Sequence, residues 1–153
     1  MKRVYKAPEK YPKIGNDKIY IFLAGSIEMG KAEDWQTKLT KYIDKNHPDV
    51  HLLNPRRDDW DSSWKQTIKN KQFREQVEWE LKALEDADMI IMYFDPKTKS
   101  PISLLELGLY ANTNKKMVVC CPDGFWRKGN VEVVCNKYNV PLYNSMDELI
   151  KAL

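Results

Sequence analysis

Apolar positions along this chain fall in short runs separated by longer stretches of mixed polarity, a rhythm that predicts strands alternating with helices. Residues 18–23 (KIYIFL) read as a buried strand, followed by a tight loop at Ala24, Gly25 and Ser26 and then a helix over about 33–45. Residues 51–53 form a short second strand closed by Asn54 and Pro55, after which a polar, tryptophan-rich loop leads to about Trp64. A long helix over about 65–85 precedes the third strand, 89–94, which Asp95 and Pro96 end. Ser100 and Pro101 read as an N-cap and first helical position of a helix reaching about Asn112. A fourth strand follows at 117–121, a helix at 131–138 and a short fifth strand at 141–143. Ser145 and Glu148 have the spacing of a capping box opening the last helix.

Strands joined by helices of that length predict a parallel sheet, because each parallel crossover needs a long connection and right-handed βαβ units supply it. The expected fold is α/β, a flavodoxin-like or Rossmann-like three-layer sandwich with a five-stranded parallel sheet. Ligands bind such sheets beyond the carboxyl ends of the strands, so the loops beginning at Ala24, Asn54, Asp95 and Pro122 are expected to line the site. A chain of 153 residues fits one core, assigned to residues 17–153. Residues 1–16 hold five basic side chains against Glu9 alone, more than the whole formal charge of +3. They read as a basic N-terminal tail, solvated rather than bound to nucleic acid. With 42% hydrophobic and 31% charged residues the chain has the composition of an ordinary globular protein. No run approaches the roughly 20 apolar residues of a membrane span, and no signal-peptide core follows the first charges, so a cytoplasmic protein without membrane association is expected. Three cysteines without disulfide spacing read as reduced thiols.

Candidate chemistry begins with Glu106, the one charged residue in the run 101–111. Its helical neighbours at three and four positions are Ile102, Ser103, Leu109 and Tyr110, so nothing on its own helix can pair with it. Such a carboxylate either meets a ligand or catalyses, or it sits at a rim and bonds a loop amide. Gly25 and Ser26 could present amides to a sugar or phosphate, or form an ordinary strand-to-helix turn. Without the full glycine fingerprint or a Walker lysine, nicotinamide cofactors and nucleoside triphosphatase chemistry are disfavoured. Gln76 and Glu80, four apart and beside Trp79, share a helical face suited to a flat hydrogen-bonding base, but with Arg74, Glu75, Glu78 and Lys82 making the helix polar nearly all round, spacing alone favours a solvated face. The segment from Asn54 to Arg57, with Trp60 and Trp64, is either a base- or phosphate-contacting loop or a surface turn packed by its indoles. His47 and His51 flank Pro48, and Cys120 and Cys121 should point to opposite sides of their strand, so no metal site is expected.

As an ordered set these segments resemble a known family. FLAGSI at 22–27 with DWQ at 34–36, NPRR at 54–57 with Trp60, Gln76 with Trp79 and Glu80, Ala87 with Asp88, and SPISLLELG at 100–108 are similar to the nucleoside 2-deoxyribosyltransferases, in their second, more divergent sequence group. The resemblance spans about residues 18–135. It implies that Glu106 is a nucleophile attacking C1′ of a deoxyribose, forming a covalent glycosyl intermediate that another nucleobase discharges. Gly25 and Ser26 resemble the family's first substrate loop, Gln76 and Glu80 fall in its base-facing region, and Ser100 stands where many relatives carry a sugar-contacting aspartate. Asn130 looks like an asparagine lent to the neighbouring subunit, which implies a homo-oligomer with shared active sites. Glu80 or Asp88 is the candidate proton donor to the departing base, and no metal or organic cofactor is needed. The alternatives are an N-glycosidase that hydrolyses nucleosides or, with Arg56 and Arg57 near the phosphate, 5′-monophosphates, and a non-catalytic nucleotide-binding module.

Overall fold

A computed structural model describes residues 2–12, 17–26, 34–57 and 59–153 of the chain. The expected helix start at Glu33, Ile27 of the first motif and Lys13 of the basic tail lie outside the described residues. Within them the chain runs β1 (Val4–Lys6), β2 (Ile19–Gly25), α1 (Trp35–Asn46), β3 (Val50–Asn54), α2 (Lys71–Asp86) and β4 (Met89–Tyr93). It continues through α3 (Pro101–Tyr110), β5 (Lys116–Cys120), α4 (Lys128–Lys137), β6 (Leu142–Tyr143) and α5 (Met146–Lys151). All six strands pair in parallel, in the order β1-β3-β2-β4-β5-β6. Leaving β1 aside, this is the flavodoxin-like order, whose switch point falls between β2 and β4.

Alternation along the strands divides the core into two halves. Tyr20, Phe22, Ile90, Met92 and Val119 face the side covered by α2, α3 and α4, through Leu84, Leu107 and Val131. Ile21, Leu23, Ile91, Tyr93 and Val118 face the other, where α1 and α5 contribute Trp35, Leu39, Ile43 and Leu149. Cys120 and Cys121 enter opposite halves, and the three thiols are unbridged. Among the described residues no helix is long and apolar enough to cross a membrane.

The sheet has six strands where five are expected, and the sixth comes from the segment read as a solvated tail. Val4, Tyr5 and Lys6 pair with Leu52, Leu53 and Asn54 at the edge of the sheet. Tyr5 is buried, and the Arg3 guanidinium donates to the Pro48 carbonyl at 2.8 Å and pairs with the Asp44 carboxylate. Further along, Tyr11 packs edge-on against Trp79 and donates to Asp86 at 2.7 Å, while the Trp79 indole N–H donates to the Glu9 carbonyl at 2.8 Å. Of the basic side chains of this segment, Lys6 lies on the edge strand and Lys2 and Arg3 lead into it, where charge also discourages pairing with other chains.

The long helix begins at Lys71 rather than Lys65. Residues 65–70 form turns, and the Asn70 side chain accepts the Phe73 N–H at 2.9 Å, an N-cap contributing about 1 kcal/mol. At the last helix the Ser145 hydroxyl accepts the Glu148 N–H at 3.1 Å, and the Glu148 carboxylate reaches back to the Asn144 N–H at 3.2 Å, so the capping signal holds.

Candidate active site

The site is built on Gly25, where β2 ends at the switch point. Its φ is +143°, and a Cβ there would lie 2.2 Å from the Tyr93 carbonyl oxygen, so only glycine lets β2 pass β4 at this height. Ser26 follows, fully buried, donating its N–H to Tyr93 O at 3.0 Å. Its hydroxyl accepts the Asp95 N–H at 2.9 Å, lies 2.9 Å from the Thr98 hydroxyl and also meets Ser100. Ser100 occupies the N-cap position of α3 as expected, but in the left-handed conformation (φ 47°, ψ 54°) and without a side-chain cap bond. Its hydroxyl turns instead to Ser26 and Thr98, a buried knot that fixes the start of α3 over the end of β2.

From that anchor α3 carries Glu106 to the wall of a cavity of about 380 Å³ between α2 and α3. The wall includes Gly25, Ser26, Ser100, Gln76, Glu80 and Glu106, together with Arg56 and Arg57. Glu106 is 7% exposed. Burial, and then the nearby Glu80 carboxylate, push its carboxyl up to about 8. Glu80 is raised to about 7 by burial, opposed by a 2.9 Å hydrogen bond from the Gln76 side-chain amide. Among the described residues no cation pairs with either carboxylate. Two buried acids close enough to repel share protons as a unit, and between pH 7 and 8 this pair holds about one. One ionised and one protonated carboxyl in a single cavity can act as nucleophile and acid on opposite ends of one bond.

The remaining candidates divide. Gln76 is buried rather than solvated, and its amide bridges Glu80 and the Pro55 carbonyl, each at 2.9 Å. Arg57 is drawn into the cavity wall, its side chain 9% exposed, paired with Asp59 at 2.7 Å and lying 4.7 Å above the Trp64 ring. Arg56 pairs with Asp34 at 3.0 Å. Asn54 sits behind the wall, its side chain accepting the Arg56 N–H at 2.9 Å, and so shapes the loop without lining the cavity. Asp88 is not brought to the site. Its carboxylate accepts the Tyr20 N–H at 2.8 Å near the start of β2, five residues and about 17 Å of strand from Gly25. Asn130 is exposed on α4, outside the cavity of its own chain. Sequence reasoning overlooks the apolar mouth, where Ile102, Leu105 and Leu109 are 57%, 60% and 48% exposed on the outer side of α3 and Leu81 faces them from α2. The signal was present: a helix apolar all round cannot hide both faces on one sheet. Among the described residues no group of three or more His, Cys, Asp or Glu side chains could hold a metal ion.

Residues 18–125 match the sequence profile of the family described as nucleoside 2-deoxyribosyltransferase like. In fold the chain is similar to a conserved protein from Enterococcus faecalis V583 known from a crystal structure, with a TM-score of 0.62 at 14% identity, over 88% of this chain and 96% of that one. No curated protein matches the chain.

Proposed function

Because the chain belongs to the nucleoside 2-deoxyribosyltransferase-like family, we propose that it cleaves the N-glycosidic bond of a 2′-deoxynucleoside at Glu106 and transfers the deoxyribose to another nucleobase. The observation that carries this reading is Glu106 itself, a buried carboxylate on a cavity wall, near a second carboxylate and, among the described residues, ion-paired with no cation.

In the first step a Glu106 carboxylate oxygen bonds to C1′ as the bond from C1′ to the base nitrogen breaks. The electron pair leaves with the base, and Glu80 supplies a proton to it; Glu106 holds the shared proton the more tightly in the empty cavity, so the reactive form is the minor one in which that proton sits on Glu80. The oxocarbenium-like transition state lies against the ionised Glu106, which traps it as a glycosyl ester. An incoming base then attacks C1′, returns its proton to Glu80 and frees Glu106; two inversions give net retention. Gln76 holds Glu80 in place through its 2.9 Å hydrogen bond, and the knot of Ser26, Thr98 and Ser100 fixes the helix start beside the sugar.

The open mouth supports a second reading. Where Ile102, Leu105 and Leu109 stay exposed, water reaches the ester, and the same site is an N-glycosidase acting on a nucleoside or its 5′-monophosphate. Covering that apolar face with a second copy of the chain would exclude water and favour transfer, with Asn130, exposed on α4, available to the neighbour's site. Three unbridged thiols accord with a reducing, cytoplasmic setting.

The test is incubation with deoxynucleosides and their 5′-monophosphates, with and without an acceptor base, followed by chromatography. A 2′-fluoro-2′-deoxynucleoside, whose fluorine slows breakdown of the ester, should leave a sugar adduct on the peptide containing Glu106. Turnover without that adduct, or retained turnover in folded Glu106→Ala, defeats the mechanism; binding without turnover would make the chain a nucleotide-binding module.

A further inference from the structure

The side chains that α2 and α3 give to the cavity divide by depth. Gln76, Ser103 and Glu106 are 4%, 3% and 7% exposed, and the Glu80 carboxyl is bonded to Gln76. Nearer the opening the two helices present carbon: Phe73, Val77 and Leu81 from α2, and Ile102, Leu105 and Leu109 from α3. Spacings of three and four residues make each set a row on one helical face, and each row runs about 10–12 Å along its axis. Leu81, Ile102, Leu105 and Leu109 are 42–60% exposed, whereas Phe73 and Val77 are half-buried in the wall. Exposed apolar rows mark either a ligand groove or an interface. These rows continue into the cavity that holds the two carboxyls, which favours an occupant that enters the cavity over one that lies across it.

We propose that the two rows form a subsite for an apolar substituent on the base, so that the protein prefers glycosides whose base carries an alkyl or aryl group remote from the glycosidic bond. The assignment rests on the glycosidic reading above, which makes the occupant a nucleobase and Glu80 its acid. On α2 the cavity-lining neighbours of Glu80 are Val77 and Leu81, and on α3 those of Glu106 are Leu105 and Leu109. A base within reach of both carboxyls therefore has apolar side chains as its next contacts on either helix. The distal edge of a bare base carries amino groups, carbonyls or ring nitrogens, and these would lose water to side chains that offer no hydrogen bond. An alkyl or aryl group on that edge instead removes carbon surface from water on both sides. At about 380 Å³ the cavity reaches the size that takes a drug-sized ligand. Filling its mouth from within also keeps water from Glu106 while the bond breaks.

The experiment compares 2′-deoxyadenosine with its N6-benzyl derivative and 2′-deoxycytidine with its N4-benzyl derivative, each also as the 5′-monophosphate so that a need for phosphate hides nothing. The wild-type protein should favour the benzyl member of at least one pair by about tenfold or more in kcat/KM, the lower end of what an apolar pocket gives for one added carbon. Leu81→Asn and Leu109→Asn should each bring that ratio to within about threefold, chiefly by slowing the benzyl substrate. Wild-type rates within about threefold in both pairs, or a preference that neither variant reduces, overturn the assignment and leave the glycosidic reading standing. If the variants then split a wild-type dimer in gel filtration, the mouth is an interface between copies of the chain. If nothing turns over, calorimetry with free adenine and N6-benzyladenine decides. Tighter binding of the benzyl compound, lost in Leu81→Asn, upholds the subsite while the glycosidic reading falls; equal binding, or none, overturns both.

Discussion

Replacing Glu106 by glutamine should abolish turnover and stabilise the fold, by an amount that depends on pH. Burial and the Glu80 carboxylate raise its carboxyl from an ordinary 4.5 to about 8, so the folded chain holds that proton more tightly than the unfolded chain does. Below pH 4.5 both states are protonated and no charging cost arises. As pH rises further the unfolded chain ionises freely, while the folded chain must keep its proton or bury a charge, so stability falls until the folded group has itself ionised above about 8. At ~1.4 kcal/mol per pH unit of difference, the cost is about 1 kcal/mol at pH 5, about 3 at pH 7 and about 5 beyond pH 9. Glutamine keeps the shape and removes the charge, and any change in amide bonding adds an offset that does not vary with pH. In a chain of this size the increase between pH 5 and 7 corresponds to roughly 4–8 °C in Tm. Thermal unfolding of both proteins by circular dichroism, from pH 5 to 9 at constant ionic strength, measures it. A Tm difference that stays flat over that range would refute a buried, unpaired carboxylate at position 106.

The shared proton also predicts a bell-shaped pH profile of kcat/KM, rising through about 7 and falling above about 8, because both carboxyls are protonated on the acid side and both ionised on the alkaline side. Glu80→Gln should remove the alkaline limb and move the acid limb to lower pH, since Glu106 then loses its like-charged neighbour; an unchanged profile would dismiss Glu80 as the acid. Gly25→Ala, which sets a Cβ 2.2 Å from the Tyr93 carbonyl at a φ of +143°, should lose about 2–4 kcal/mol in urea unfolding. A near-native midpoint would mean the backbone has another path there. If Asn130 completes a neighbour's site, Glu106→Ala and Asn130→Ala should each be inactive alone, yet regain about a quarter of the wild-type sites when refolded as a mixture. No regain, with exchange verified by native mass spectrometry, would keep Asn130 out of the site.

How far the sequence carries depends on how locally each feature is encoded. Strands β2, β4 and β5 are buried on both faces and read as unbroken apolar runs, so the parallel sheet is legible from them alone. β1 is three residues long, buries only Tyr5 and lies among lysines, so no periodicity marks it; its pairing depends on β3, some 45 residues away. Glu106 is legible because a lone charge in an apolar helix stands out at any register. Arg57 is legible only as one of two readings of its loop, because its burial depends on Trp64 and Asp59, contributed by a segment without period. The choice between Glu80 and Asp88 was open to a stronger argument than composition. Ligands of a parallel sheet bind at the carboxyl ends of its strands, and Asp88 precedes β4, so strand direction alone sends it to the far edge, where it holds the Tyr20 amide. Glu80 is four residues from Gln76 on a helix that flanks the open end, and its carboxyl meets the Gln76 amide at 2.9 Å. Direction along the sheet therefore separates an acid that can serve the base from one that fastens a strand, a distinction that charge and spacing along the chain do not make.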